Sequence, residues 1–96
     1  MILLLKSLKG RFTQKMKDRI NKFITEHFLD GEGGLKNDES LFGSGIVDSL
    51  RLFELIAFIE RSFRISVRMS EITLENFDSV DNIAKLVKKK LPRTGE

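Results

Sequence analysis

The chain has 96 residues, of which 41% are hydrophobic and 32% charged, and its formal net charge is +3. This length fits one domain that buries about two thirds of the surface exposed by its unfolded chain. The sequence has no cysteine and a single histidine, His27, which excludes a disulfide framework, a thiol nucleophile and a histidine-based metal centre.

Residues 1–11 are predicted to be an N-terminal extension. The apolar run at residues 1–5 precedes the basic Lys6, Lys9 and Arg11, whereas a secretory signal has its charges first and a longer apolar core. No stretch approaches the roughly 20 apolar residues of a membrane-spanning helix. We expect no stable membrane insertion. The extension either prolongs the first helix or frays, and a weak contact with a membrane surface or a partner stays open.

The next segment has apolar residues at helical spacing, which predicts an amphipathic first helix with a core-facing stripe. His27 lies at the edge of this stripe and is expected to be packed or solvated rather than a ligand. The stripe consists of Phe12, Met16, Ile20, Phe23, Ile24 and Phe28.

Residues 29–40 are polar and rich in glycine, which predicts a long loop. The loop is not a calcium-binding EF-hand, because the twelfth position counted from Asp30 is Leu41, where an EF-hand needs a glutamate. Residues 43–45 also lack the lysine of a phosphate-binding loop. We expect the loop to be pinned to the core by Leu35, Leu41 and Phe42.

A helix N-terminus is predicted at Asp48 and Ser49, because aspartate or serine just before a periodic apolar run typically caps a helix. The second helix is predicted from Ser49 to about Phe63, with the Ser49 hydroxyl pointing outward. A phosphate attached there would meet free backbone N–H groups and the positive end of the helix dipole.

The second helix carries two sets of apolar residues. A second set beside Ser49 lies on a different arc from the core set, and it reflects either wide burial or a partner-facing strip. We predict that this second set, Leu50, Phe53 and Ala57, faces partners, whereas Phe58 fits neither set. The core set consists of Leu52, Leu55, Ile56, Ile59 and Phe63.

Two further elements are predicted after the second helix. Residues 65–67 alternate as an extended connector, and residues 70–74 form one short helical turn capped by Ser70. A second N-cap signal at Asp78-Ser79 then begins the last helix. Its buried stripe consists of Val80, Ile83, Ala84, Val87 and Leu91.

The last helix is expected to end before Pro92, because proline cannot continue it. Residues 12–91 are therefore predicted to be one domain, and residues 92–96 a C-terminal tail. The fold class predicted from these elements is all-α, a small four-helix bundle of three main helices and one short helix.

The stretch Leu41-Phe42 to Leu50 resembles the attachment site of the acyl and peptidyl carrier proteins. In that family an Asp-Ser-Leu triplet at the start of the second helix carries a 4′-phosphopantetheine arm on its serine, and residues 48–50 match it. Glu54-Leu55 match the Glu-Leu that follows, and Gly45 and Val47 fit the loop of peptidyl and D-alanyl carriers. The resemblance covers about residues 13–91.

This resemblance implies a carrier that is not an enzyme and has no resident metal. A phosphopantetheinyl transferase would attach the arm of coenzyme A to the Ser49 hydroxyl. The arm would then carry acyl or aminoacyl groups as thioesters from an activating ligase to a downstream transferase or synthase. We expect a monomer in the cytoplasm. The expected partner contacts are Asp48, Leu50, Phe53, Glu54 and Ala57.

Two other functions fit parts of the sequence. A DNA-binding bundle needs a clustered basic face, but residues 48–68 mix three acids with four arginines, so no nucleic-acid partner is expected. The other is a small helical adaptor, in which Ser49 is a plain helix N-cap. The net charge of +1 over residues 48–68 also departs from the acidic second helix of fatty-acid carriers, which points to a dedicated pathway.

The phenylalanines predict the size of the cargo. Rigid rings packed at crystal-like density leave little room for a long chain between the helices. We therefore expect a short acyl or aminoacyl cargo held in solvent. The phenylalanines assigned to the core are Phe12, Phe23, Phe28, Phe42, Phe63 and Phe77.

Overall fold

The computed structural model describes residues 2–91, with side chains from residue 10 onward. A 3₁₀ turn at Met69–Glu71 separates the second and third helices. The part of the chain described contains no β-strand, so the predicted all-α bundle of four helices is confirmed. The helices are α1 (Ile2–Phe28), α2 (Ser49–Phe63), α3 (Leu74–Phe77) and α4 (Val80–Lys90).

The N-terminal extension prolongs α1, which begins at Ile2; this is one of its two predicted states. A surface contact by the side chains of residues 1–9 lies outside the described residues. The same is true of the predicted tail at residues 92–96 and of Pro92 as the helix stop.

The core lies where α1 packs against both α4 and α2, and where α3 packs against α4. Helix α1 contributes four buried residues from Met16 onward, one for each turn. The loop before α2 adds Leu41 and Val47, and α3 adds Phe77. Helices α2 and α4 contribute Leu55, Ile56, Ile59, Val80, Ile83, Ala84, Leu86 and Val87.

Phe12 was predicted to be in the core, and this is wrong because 52% of its side chain is exposed. It lies beside Phe63 and Leu91, at the level where α2 and α4 end, so the bundle covers only one side of the ring. Leu52 and Phe63, also assigned to the core, are only partly buried but pack against it.

Phe58, which fitted neither predicted set, joins α1 to α2. Its ring stacks on that of Phe23 with centroids 4.1 Å apart and an interplanar angle of 18°. Phe23 stacks in turn on the exposed His27 at 4.2 Å. Stacked rings contribute beyond their buried area, so this contact stabilises the α1–α2 packing.

Polar contacts hold the long loop and the ends of the helices. Asn21 Nδ2 donates hydrogen bonds to the Leu35 carbonyl and to Asn37 Oδ1, both at 2.9 Å. Lys17 Nζ lies 3.0 Å from Asp81 Oδ1 and links α1 to α4. Leu41 is fully buried, and Leu35 and Phe42 are partly buried against the core, as predicted.

The segment between α2 and α4 differs from its prediction. The expected turn at residues 70–74 with Ser70 as cap is wrong, because Thr73 Oγ1 accepts the Asn76 N–H at 3.2 Å and begins α3 at Leu74. Glu71, rather than Ser70, stabilises the preceding 3₁₀ turn by accepting the Arg68 N–H at 2.8 Å.

Glu71 also ties this segment to the end of α4. Lys90 Nζ donates to Glu71 Oε1 at 2.7 Å. This hydrogen bond, together with the one from the Arg68 backbone, holds the pKa of Glu71 below its ordinary value of 4.5.

Candidate functional site

Ser49 is the first residue of α2, as the sequence predicted. The N-cap is Asp48, whose backbone is extended and whose Oδ1 accepts the Arg51 N–H at 2.9 Å. The interpretation of Ser49 as a plain N-cap is therefore wrong. Asp48 has the extended backbone that a cap requires, whereas Ser49 is already helical.

The Ser49 side chain is exposed. Within residues 10–91 its hydroxyl makes no hydrogen bond, so the oxygen is free to react. The backbone N–H groups of Ser49 and Leu50 belong to the first turn of α2 and have no intrahelical acceptor. A phosphate ester on Ser49 therefore fits the site, since these donors and the positive helix end favour an anion.

The loop before Ser49 folds back on itself through backbone hydrogen bonds. Val47 N donates to the Leu41 carbonyl at 3.0 Å, and Gly45 N donates to the Phe42 carbonyl at 3.1 Å. Gly45 has φ +81°, a conformation that favours glycine. Leu41 and Val47 are buried, so both ends of this short loop are anchored in the core.

Arg51 holds the last part of the loop. Its Nη1 donates to the Ile46 carbonyl at 2.8 Å, and its guanidinium lies 5.3 Å from the centre of the Phe28 ring. A cation over an aromatic face is stabilised by the ring quadrupole. Arg51 therefore connects the approach to Ser49 with the end of α1.

Asp78 holds the first part of the same loop from the junction of α3 and α4. Its Oδ1 accepts the Phe42 N–H at 3.0 Å, and Ser40 Oγ lies 2.9 Å from both carboxylate oxygens. Its backbone carbonyl accepts the Leu41 N–H at 2.7 Å. Three consecutive loop residues are thus bonded to this one residue.

The second apolar set of α2 is exposed, which excludes wide burial. Leu50 and Phe53 are 68% and 66% exposed, and Glu54 and Ala57 are also on the surface. Leu50, Phe53 and Ala57 thus form an exposed apolar strip beside Ser49 on α2. Their role as partner contacts stays a prediction.

The C-terminal half of the same helix face is basic. Arg61 and Arg64 are exposed, and neither forms an ion pair with any carboxylate of residues 10–91. The nearby Glu60 carboxylate is partly buried, and its Oε2 accepts the Val67 N–H at 2.9 Å. The surface of α2 therefore changes from apolar near Ser49 to net positive at its C-terminal end, where two arginines outnumber one glutamate.

Sequence reasoning missed Asp78, Ser40 and Arg51 as residues of this site. Ser40 and Asp78 are 38 positions apart, so no local pattern connects them. From the sequence, Arg51 is recognisable only as one of the charged residues of the second helix. Its contacts with a loop carbonyl and with Phe28 depend on the fold.

The chain was compared with known proteins. No protein-family model matches it. It is similar to PigG, a probable acyl carrier protein of a Serratia species, with 35% identity over 75 residues, or 77% of this chain and 86% of the relative. It is also similar to the D-alanyl carrier protein of Streptococcus uberis, with 39% identity over 73 residues, or 76% of this chain and 91% of the relative.

Among solved structures, the chain resembles one in the crystal structure of an FAD-dependent dehydrogenase, with a TM-score of 0.65 and 31% identity. The match covers 70% of this chain and 96% of the other, so the other chain is the shorter one. None of the helices described here has the length and hydrophobicity to cross a membrane.

Proposed function

The chain belongs to the family of acyl and D-alanyl carrier proteins, which are carriers and not enzymes, and we propose that it bears a 4′-phosphopantetheine arm on Ser49. We take residues 12–91 to be the carrier domain, after an extension at residues 1–11 and before a tail at residues 92–96. The protein acts as a monomer in the cytoplasm.

The observation that carries the proposal is the position of Ser49. It is the first helical residue of α2, exposed, directly after a capping aspartate in an Asp-Ser-Leu triplet. Because Asp48 already satisfies the cap, the Ser49 oxygen is left to react.

In the loading reaction the Ser49 oxygen bonds to the phosphorus that bears the pantetheine, and the nucleotide part of coenzyme A leaves. The Ser49 proton passes to a base or water of the transferase. Asp48 fixes the start of α2, and the free N–H groups of Ser49 and Leu50 favour the resulting phosphodiester. Once attached, the arm supplies a thiol that holds the cargo as a thioester.

Partner enzymes dock on the exposed face of α2. Leu50, Phe53 and Ala57 give them an apolar contact beside the arm, and Asp48 and Glu54 give polar ones. These partners are the phosphopantetheinyl transferase, an acyl- or aminoacyl-activating ligase and a downstream transferase or synthase. The positive Arg61 and Arg64 favour partners with an acidic patch, which fits a dedicated pathway better than general fatty-acid synthesis.

The cargo is a short acyl or aminoacyl group. The D-alanyl relatives support an aminoacyl cargo by their name. The argument from phenylalanines rests on fewer rings than the sequence suggested, because only Phe28 and Phe77 of the six are buried. A flavin-dependent dehydrogenase is a further candidate partner, because a chain like this one occurs in the crystal structure of such an enzyme.

The test is attachment of the arm in vitro. The protein is incubated with coenzyme A, magnesium and a broad-specificity phosphopantetheinyl transferase, and its intact mass is recorded. Wild type should gain one phosphopantetheinyl group and Ser49→Ala none. Ser44→Ala is the matched control in the same loop and should gain the group as wild type does. A wild type left unmodified by several transferases, or a modified Ser49→Ala, would contradict the proposal.

A further inference from the structure

We propose that Asp78 is the positioning residue of the attachment loop, and that its hydrogen bonds hold residues 40–48 in the one conformation from which Ser49 is modified. This inference rests on the proposed carrier function for its link to loading. The stabilisation of the loop by the hydrogen bonds of Asp78 is tested independently of that function.

Hydrogen bonds from three consecutive loop residues converge on Asp78. The Asp78 carboxylate accepts from Phe42 N at 3.0 Å and from Ser40 Oγ at 2.9 Å, while its carbonyl accepts from Leu41 N at 2.7 Å. Hydrogen bonds to a charged acceptor are shorter and stronger than neutral ones. Asp78 is therefore the principal anchor of this part of the loop.

Further hydrogen bonds connect Asp78 with the residues just before Ser49. Leu41, whose N–H is bonded to Asp78, accepts the Val47 N–H at 3.0 Å through its own carbonyl. Val47 is 3% exposed and immediately precedes the capping Asp48. Two backbone hydrogen bonds thus link Asp78 to the residue before the cap, and the Asp78 carboxylate holds Ser40 and Phe42 on either side of Leu41.

The turn at residues 40–43 is tightly packed and leaves little room for another conformation. Ser40 Oγ accepts the Gly43 N–H at 2.9 Å while it donates to Asp78. A Cβ added at Gly43 would lie 2.6 Å from that same oxygen. The turn therefore closes tightly around the Ser40 hydroxyl, and it does so with glycine at position 43.

The position of Asp78 in the fold agrees with a role in the loop. It ends α3, with its N–H bonded to the Leu74 carbonyl at 2.9 Å, and the capping of α4 is left to Ser79. Its side chain is only partly buried and belongs to no hydrophobic cluster. Removing the carboxylate should therefore free the loop without opening the core.

The test compares Asp78→Ala with Asp38→Ala, a matched control. Asp38 is exposed in the same region, and its carboxylate makes no hydrogen bond or ion pair with the rest of residues 10–91. The first measurement is amide hydrogen exchange of the apo protein. In Asp78→Ala the Phe42 and Val47 amides should exchange about tenfold faster, while the Leu55 and Ile59 amides inside α2 keep their protection.

The second measurement is the kinetics of phosphopantetheinyl transfer. If only a fraction of the molecules holds the productive loop, the apparent affinity falls by that fraction. We expect kcat/KM to fall about tenfold in Asp78→Ala, through a higher KM with kcat retained. Ser40→Ala and Asp78→Asn should show smaller changes, because each keeps an acceptor for the Phe42 N–H. Asp38→Ala should match wild type.

Each outcome decides a different question. Equal exchange and equal KM for Asp78→Ala and wild type would overturn the positioning role. So would faster exchange throughout the domain with an unchanged KM, which marks a merely structural residue. If Asp78→Ala does not fold, Ser40→Ala decides by the same two measurements. A wild type that is never loaded contradicts the carrier function, while the exchange data still test the anchor.

Discussion

Helices α2 and α4 differ in how many of their apolar residues are buried. Helix α4 has 11 residues and buries five of them, Val80, Ile83, Ala84, Leu86 and Val87. Helix α2 is longer, with 15 residues, but buries only Leu55, Ile56 and Ile59. The exposed side of α4 is lysine-rich, whereas the exposed side of α2 carries Leu50 and Phe53 beside Ser49.

The difference shows that the hydrophobicity of a helix does not by itself indicate whether its apolar residues stabilise the core or lie at the surface. In α4 the apolar residues stabilise the domain, and the charged ones keep the opposite face in water. In α2 one apolar set holds the helix in place, and the other stays available at the surface. We therefore expect that stability and partner recognition can be changed separately in this molecule, and the following predictions test that separation.

The largest effect is expected in the core of α4. Ile83 is fully buried, so Ile83→Ala should lower the free energy of unfolding by about 2–5 kcal/mol through lost contacts and a residual cavity. Urea denaturation followed by circular dichroism measures this change. A cost below about 1 kcal/mol would mean that α4 is not the stabilising helix that its burial indicates.

The helix caps should have intermediate effects, similar in the two helices. Ser79 Oγ accepts the Asn82 N–H at 3.1 Å, and Asp48 Oδ1 accepts the Arg51 N–H at 2.9 Å. Ser79→Ala and Asp48→Ala should each cost about 1 kcal/mol of unfolding free energy. Only Asp48→Ala should also slow loading at Ser49. If Ser79→Ala slows loading as much, the two helices are not separable in this way.

The end of α4 gives a smaller, pH-dependent effect. The hydrogen bond from Lys90 and the bond from the Arg68 backbone hold the pKa of Glu71 below 4.5 in the folded protein. The unfolded chain therefore binds this proton first as pH falls. The contribution is present in full above the ordinary pKa and is lost as pH decreases through the folded pKa.

Melting temperatures of wild type and Lys90→Met between pH 7 and pH 3 should converge at the acidic end. Glu71→Gln is the complementary control, because glutamine does not titrate between pH 7 and pH 3. Curves that stay parallel down to pH 3 would show that protonation of Glu71 does not change the contribution of this pair to stability.

The smallest effect on stability is expected at the exposed strip of α2. Leu50→Ala and Phe53→Ala should change the free energy of unfolding by less than about 0.5 kcal/mol, because both side chains lie mostly in solvent. Both should slow phosphopantetheinyl transfer, whereas Glu75→Ala on α3 serves as an exposed control. A melting temperature for Leu50→Ala as low as that of Ile59→Ala would remove the distinction between the two apolar sets.

The main helices were predictable because their signals are local. The start of α2 at Ser49 follows from a polar cap before an apolar period, and Ser79 begins α4 for the same reason. Which of two adjacent polar residues caps α2 was not resolved, since Asp48 and Ser49 have similar cap preferences. The distinction depends on backbone angles, which the composition of a short stretch does not specify.

The misplaced residues lie where neighbours distant in sequence decide the outcome. Phe12 continues the stripe of α1, but no helix covers it because α2 ends at Phe63. Phe58 lies between the two arcs of α2 and is partly buried, stacked on Phe23 of α1. The role of Asp78 was hidden behind its resemblance to a helix cap, and only the folded loop brings Ser40 and Phe42 to it.

The stack of Phe23 on Phe58 gives the molecule a built-in spectroscopic reporter. Two rings lying face to face with centroids 4.1 Å apart shift each other's proton resonances upfield through their ring currents. The chain has neither tryptophan nor tyrosine, so the aromatic region of its proton spectrum contains only phenylalanine and histidine signals. Because one ring belongs to α1 and the other to α2, any cargo that separates these helices would move the two signals back toward their unshielded positions. The chemical shift of the Phe58 ring thus reports whether α1 and α2 stay packed at this point.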